Sequence, residues 1–162
     1  MLSELCSYSA KAGSLVDMLA LFVAAAAFVL SSIQFLKDNS RQKREATLNA
    51  YNDLQDDVFT KLNGLLLKYK TQKNKLYSLR SGDEDWEKIT TYLAKIERFS
   101  VGINSGIYSI NVLNRLGGGY FIRLYDELNP IILRKRNANT SKGKHYNEFE
   151  ATAEKLKKMR NV

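Results

Sequence analysis

The chain holds a single cysteine, a single histidine and a single proline in 162 residues. Cys6 alone cannot close an intramolecular disulfide, so a disulfide scaffold is excluded. Its thiol could still pair between two chains. His145 has no second histidine or cysteine close by, so the usual structural zinc sets are excluded. Such a histidine is expected to be a solvated side chain. Nucleotide fingerprints are missing too. The run Gly117, Gly118, Gly119 lacks the Lys-Ser/Thr ending and the preceding strand of a phosphate-binding loop, and there is no serine elbow.

Carboxylates cluster at Asp53, Asp56 and Asp57, at Asp83, Glu84 and Asp85, and at Asp126 and Glu127. None has the Glu-x-x-His companion that di-iron bundles use. They read as solvated or ion-paired acids. No catalytic residue, metal or cofactor is expected. A helical enzyme using acidic residues is the remaining catalytic alternative.

What the chain does contain is one long apolar run. Met18 to Leu30 reads MLALFVAAAAFVL, and Met18 to Leu36 holds nineteen residues without a charge. A bilayer-spanning helix needs about 20 mainly apolar residues. Asp17 and Lys37 close the window. A core helix and a late signal peptide compete with the span. A helix apolar on every face must be fully enclosed or sit in lipid, and roughly 120 further residues wrap it thinly. For a signal peptide the n-region is poor in cations, and the alanines lie inside the apolar run.

Charge flanking the run sets the expected orientation. Lys37, Arg41, Lys43 and Arg44 follow it, and only Lys11 and the terminal amine precede it. The positive-inside rule then places residues 37–162 in the cytoplasm and the N-terminus outside. The expected layout is a short external segment at 1–14, a transmembrane helix at 15–36, a cytoplasmic helical domain at 37–136, and a polar linker with a charged tail at 137–162. Residues 37–162 carry 24 Lys/Arg against 15 Asp/Glu, a net of about +9. Beneath a membrane such charge attracts anionic lipid, and Lys37, Arg41, Lys43 and Arg44 are the candidate lipid-facing residues. A basic nucleic-acid-binding protein is the alternative, drawing on Arg134, Lys135 and Arg136 and on Lys155, Lys157, Lys158 and Arg160. No groove-reading signature accompanies them, so specific nucleic-acid binding is not expected.

The fold class is all-α: one N-terminal membrane helix, then a small antiparallel bundle. From Ser40 to Leu79, Leu48, Gln55, Leu62, Tyr69 and Leu76 form one seam, and Tyr51, Val58, Leu65, Gln72 and Leu79 a second. Together they give a heptad stripe. Phe59 and Leu66 widen it, which favours a bundle over a coiled-coil dimer. Ser81, Gly82 and Asp83 predict a turn and N-cap. Trp86, Ile89, Leu93, Ile96, Phe99 and Val101 form the next apolar face. Gly102 and Gly106 stand four apart, a spacing that permits close backbone approach. Gly117 to Gly119 predict a break, and Pro130 a kink or a division within the last firm helix. The segment Glu148 to Arg160 is only weakly amphipathic and is expected to fray. Glu97 and Arg123 are the candidate structural pair, fixing two neighbouring helices.

The segments YLAKIERFSVGINSGIYSINVLNRL, Tyr92 to Leu116, and YFIRLYDELNPIILRKR, Tyr120 to Arg136, resemble an uncharacterised bacterial and phage family of small proteins (DUF4760-like). The shared pattern is Glu97, Phe99 and Val101-Gly102-Ile103, then Arg123, Tyr125, Leu128, Pro130 and the closing basic residues. RQKREATLNAYNDLQ, Arg41 to Gln55, is also similar. The resemblance spans most of residues 15–136. It implies an N-terminal membrane helix and a cytoplasmic helical domain, with no activity attached to named residues. The Gly117 to Gly119 run departs from the more apolar stretch of that pattern. The functional expectation is a membrane-anchored, non-enzymatic interaction or regulatory module, with a protein partner or self-association. Stress or phage–host conflict is the setting that the family's distribution suggests.

Overall fold

Alanine, leucine and long-chain polar residues dominate the first third of the chain, with no proline to interrupt them. They favour uninterrupted helix. In the computed structural model α1 accordingly runs Leu2–Leu54, so residues 2–14 of the expected external segment are helical. The structure describes residues 2–138 and 145–161, with side chains described at 18–137 and 145–161. The chain divides into two units, Met1–Gln42 and Lys43–Val162. Among the described residues there is no strand, and the fold is all-α.

In the first unit the apolar run lies on α1 and is solvent-exposed throughout, apart from half-buried Ser32. The Ser32 hydroxyl donates to Phe28 O at 2.8 Å, so this polar group is satisfied within its own helix.

The second unit has one continuous hydrophobic core. α1 passes into a π-helical turn, Gln55–Phe59, and then into α2, Thr60–Lys68. Thr60 N–H and Oγ1 both donate to Gln55 O. The wide turn adds a residue, and both Val58 and Phe59 are buried there. The expected heptad stripe is thereby redrawn. Tyr51, Val58, Leu62 and Leu76 are buried, as is Phe59, expected to widen the stripe; Thr47 and Leu54, outside the expected stripe, join them. Leu48 is exposed, as are Gln55 and Gln72. The helix also stops at Tyr69, and a turn leads into a short α3, Lys73–Ser78.

Asp83 precedes α4, Glu84–Asn104. Its carboxylate accepts from Arg80 N–H at 2.7 Å, and the Asp83 N–H donates to Arg80 O at 3.0 Å. Gly82 takes φ +99° between them, where a side chain would be strained. The buried face of α4 carries Trp86, Ile89, Leu93, Ile96, Phe99 and Ile103. Val101 is exposed instead of facing the core. Gly106, at φ +77°, follows the helix. The Tyr108 ring lies over Gly102, where a Cβ would collide with it. The two glycines therefore admit an aromatic ring and a left-handed residue, and not a second helix.

α5, Ile110–Ala138, is kinked at Gly117, the expected break, and continues through Pro130. A Cβ at Gly117 would collide with the Tyr51 hydroxyl, and one at Gly118 with Asn114 Oδ1. α6, Asn147–Arg160, departs from the expected frayed tail. It packs against both α4 and α5. Phe149, Ala153 and Leu156 are fully buried. Phe149 meets Phe121 and Tyr125 edge-on, with ring centroids 5.0 and 5.3 Å apart. Thr152 Oγ1 is buried without a partner among the described residues.

Candidate functional site

Lys37, Arg41, Lys43 and Arg44 follow the apolar run on α1, and all four are exposed. No ion pair engages them among the described residues. Their charge is available to an outside partner.

The downstream basic clusters are largely committed to the fold. Arg134 stacks on Trp86, 4.4 Å from the ring centroid, and donates to Tyr77 O and Leu79 O. Lys135 Nζ donates to Tyr146 Oη at 2.9 Å. Arg136 donates to His145 O at 2.7 Å and pairs with Glu150 at 2.9 Å. In the tail, Lys155 donates to Asn104, Lys157 pairs with Asp126 at 2.9 Å, and Arg160 donates to Asn114. Lys158 has no such contact among the described residues and is exposed.

Glu97 and Arg123 are not brought together. Arg123 is exposed and lies over the Tyr120 ring at 5.3 Å. The Glu97 carboxylate instead accepts from Glu148 N–H at 3.1 Å and Phe149 N–H at 2.8 Å. The reason lies at the start of α6. Its N-cap is Tyr146, in a left-handed conformation and with no side-chain cap. The first N–H groups of a helix need acceptors, and negative charge suits that end. Glu97 supplies both from α4. Asn104 Nδ2 adds bonds to Glu148 O at 3.0 Å and to Glu148 Oε2 at 2.7 Å.

The acidic clusters are drawn into the fold in part. Asp57 accepts from Lys61 at 2.8 Å and also pairs with Lys95. The hydrogen bond from Lys61 and then that from Lys95 pull its carboxyl down to about 2. Asp85 accepts from Lys68 at 2.5 Å and Tyr69 at 2.6 Å, and both bonds lower its pKa. Burial, followed by the contact with Glu150, pushes the Tyr125 hydroxyl up to about 12. His145, expected to be solvated, is half-buried, with its ring 6.2 Å from that of Tyr146. No group of three or more His, Cys, Asp or Glu among the described residues could hold a metal ion.

Among the described residues one helix is long and apolar enough to cross a membrane, and none of its most apolar window is buried. A family model described as "Domain of unknown function (DUF4760)" matches residues 16–156. That is most of the chain, and the protein belongs to this family. The match runs past Arg136 into α6, in keeping with the packing of α6 in the core. No curated protein and no solved structure matches the chain.

Proposed function

We propose that this chain is a membrane-anchored interaction module that acts by binding rather than by catalysis. One observation carries the reading. Eleven large apolar side chains between Met18 and Leu36 are exposed, among them Leu21 at 74% and Phe28 at 74%. An exposed apolar surface of this extent marks a membrane or partner interface, and its length suits a bilayer. Residues 15–36 span the membrane, with the N-terminus outside and residues 37–162 in the cytoplasm. The unpaired Lys37, Arg41, Lys43 and Arg44 then meet anionic lipid, each contributing about 1 kcal/mol. Support for binding over catalysis comes from the carboxylates: Asp57, Asp85, Glu97 and Asp126 all serve structural contacts. The domain engages a protein partner or a second copy of itself, and its regulatory setting is stress or phage–host conflict.

The test is fractionation with labelling. The full chain should stay in the membrane fraction through high-salt and carbonate washes. Cys6 should react with an impermeant thiol reagent from outside, while a cysteine replacing Asn137 should react only after permeabilisation. Release by carbonate sinks the anchor, and the reverse labelling pattern overturns the orientation.

A further inference from the structure

We infer that a cleft at the start of the helical domain binds the phosphate of an anionic lipid headgroup through Arg44 and Arg115. The inference rests on the anchored reading above and narrows it from a charged surface to a defined site.

The cleft has a volume of about 480 Å³ and is lined by Arg44, Ser109, Asn111, Val112, Asn114 and Arg115. That lies within the range of about 300–1,000 Å³ common for small-ligand sites, and it exceeds what a bare phosphate needs. No carboxylate lines it. Neither arginine is in an ion pair among the described residues, so two arginines line the same space without an internal counter-charge there. Guanidinium forks match phosphate oxygens bidentately. The asparagine amides and the Ser109 hydroxyl suit the hydroxyls of a glycerol-type headgroup.

The walls are held in place. Thr47 is fully buried; its hydroxyl donates to Lys43 O at 2.5 Å and accepts from Ser109 N–H at 2.8 Å. This bridge ties α1, one turn beyond Arg44, to the residue preceding α5. Further along α5, Asn114 O and Oδ1 both accept from Arg160. Those acceptors are therefore occupied, and the Asn114 amide N–H groups are left for a ligand. Arg44 also lies only eight residues beyond Leu36 in the chain.

The experiment uses the full chain in detergent, with bound lipid counted by native mass spectrometry. Short-chain phosphatidylglycerol and phosphatidylcholine are offered at equal mole fraction. Wild type should retain phosphatidylglycerol selectively. R115Q and R44Q should each weaken it about tenfold, in line with the loss of a charge-assisted contact. R115K should fall between them and wild type, and K158Q should match wild type. Helicity by circular dichroism should be unchanged in all. Equal effects of R115Q and K158Q would overturn the cleft. Displacement at equal concentration by inorganic phosphate or glycerol 3-phosphate would reassign it to a soluble phosphate. Arg115-dependent displacement by a nucleic-acid oligomer would likewise overturn the lipid assignment. Carbonate resistance separates the two readings. If wild type resists carbonate and R115Q has no effect, the cleft fails alone. If wild type is released, the anchor fails first.

Discussion

Between Met18 and Leu36 no residue is charged, and all but Ser32 are exposed. Between Asn147 and Arg160 seven of fourteen residues are charged, yet Phe149, Ala153 and Leu156 have no exposed surface. The more apolar helix is uncovered and the more polar one completes a core. Apolar content alone thus predicts the wrong place for each if water is the only solvent considered. Burial in a bundle needs one narrow apolar face, which three or four residues supply. An apolar surface all round finds no bundle face to match it and calls for lipid. The largest expected effects follow directly. Phe149→Ala removes a fully buried ring that contacts Phe121 and Tyr125 and should destabilise the domain by about 3–5 kcal/mol. Thermal unfolding of the detergent-solubilised full chain measures it. A loss below about 1 kcal/mol would mean that α6 is not part of the core.

A matching substitution breaks the other side of the comparison. Ala25→Arg places a charge in the middle of the apolar run and should disfavour insertion by about 2.5–3.5 kcal/mol on the translocon scale. The carbonate-resistant fraction should fall, while the melting of the helical domain stays as it was. Retention at wild-type level would show that this helix is held by something other than hydrocarbon.

The third effect concerns the lock between the charged helix and its neighbour. Glu97→Ala removes a carboxylate that accepts two backbone N–H bonds at the start of α6. Hydrogen bonds to a charged group contribute about 1.5–3 kcal/mol, and the half-buried setting favours the lower end. Arg123→Ala is expected to change stability little, because Arg123 is exposed. If the two substitutions cost the same and are fully coupled in a double-mutant cycle, the Glu97–Arg123 pair exists after all.

Glu97 also marks where sequence reading stopped. Its importance beside Phe99 and Gly102 was legible, and so was the all-α fold, the α4 start at Asp83 and the break at Gly117. Its partner was not. The acceptor role arises because Tyr146, some fifty residues away, adopts φ +62° and leaves α6 uncapped. Backbone conformation at one residue has no periodic signature. The same holds for the π turn at Gln55–Phe59: ahead of its end Thr47, Tyr51, Leu54 and Val58 are buried at heptad spacing, and the extra residue moves the stripe one position on, to Leu62. The basic clusters at Arg134 to Arg136 and Lys155 to Arg160 read as available charge because their acceptors, Tyr77 O, Leu79 O, Asp126 and Asn114, are distant in sequence. Lys37, Arg41, Lys43 and Arg44 are exposed and in no ion pair among the described residues, which accords with the lipid-facing role proposed for them.

The smallest effect tests whether surface charge holds the helices as the core does. Asp57 lies in the π turn and bridges Lys61 and Lys95, the latter on α4. The hydrogen bond from Lys61, then the one from Lys95, lowers its pKa from 3.8 to about 2. A carboxylate whose folded pKa is depressed contributes stability that is present above its unfolded pKa. That contribution should be complete above about pH 4.5. It should decline as pH falls through 3.8 toward 2 and be absent below that. Asp57 is open to water and both lysines are substantially exposed, so salt and solvent screen the attraction and the effect should be small. The measurement is the melting temperature of wild type and Asp57→Asn at pH 6 and pH 2, at low and high salt. Wild type should melt slightly higher at pH 6 in low salt, and the gap should close at pH 2 and in high salt. A gap that survives at pH 2 would assign the contribution of Asp57 to side-chain packing at the π turn. A gap as large as that of Phe149→Ala would mean that ion pairs, and not the apolar face, hold α1 against α4.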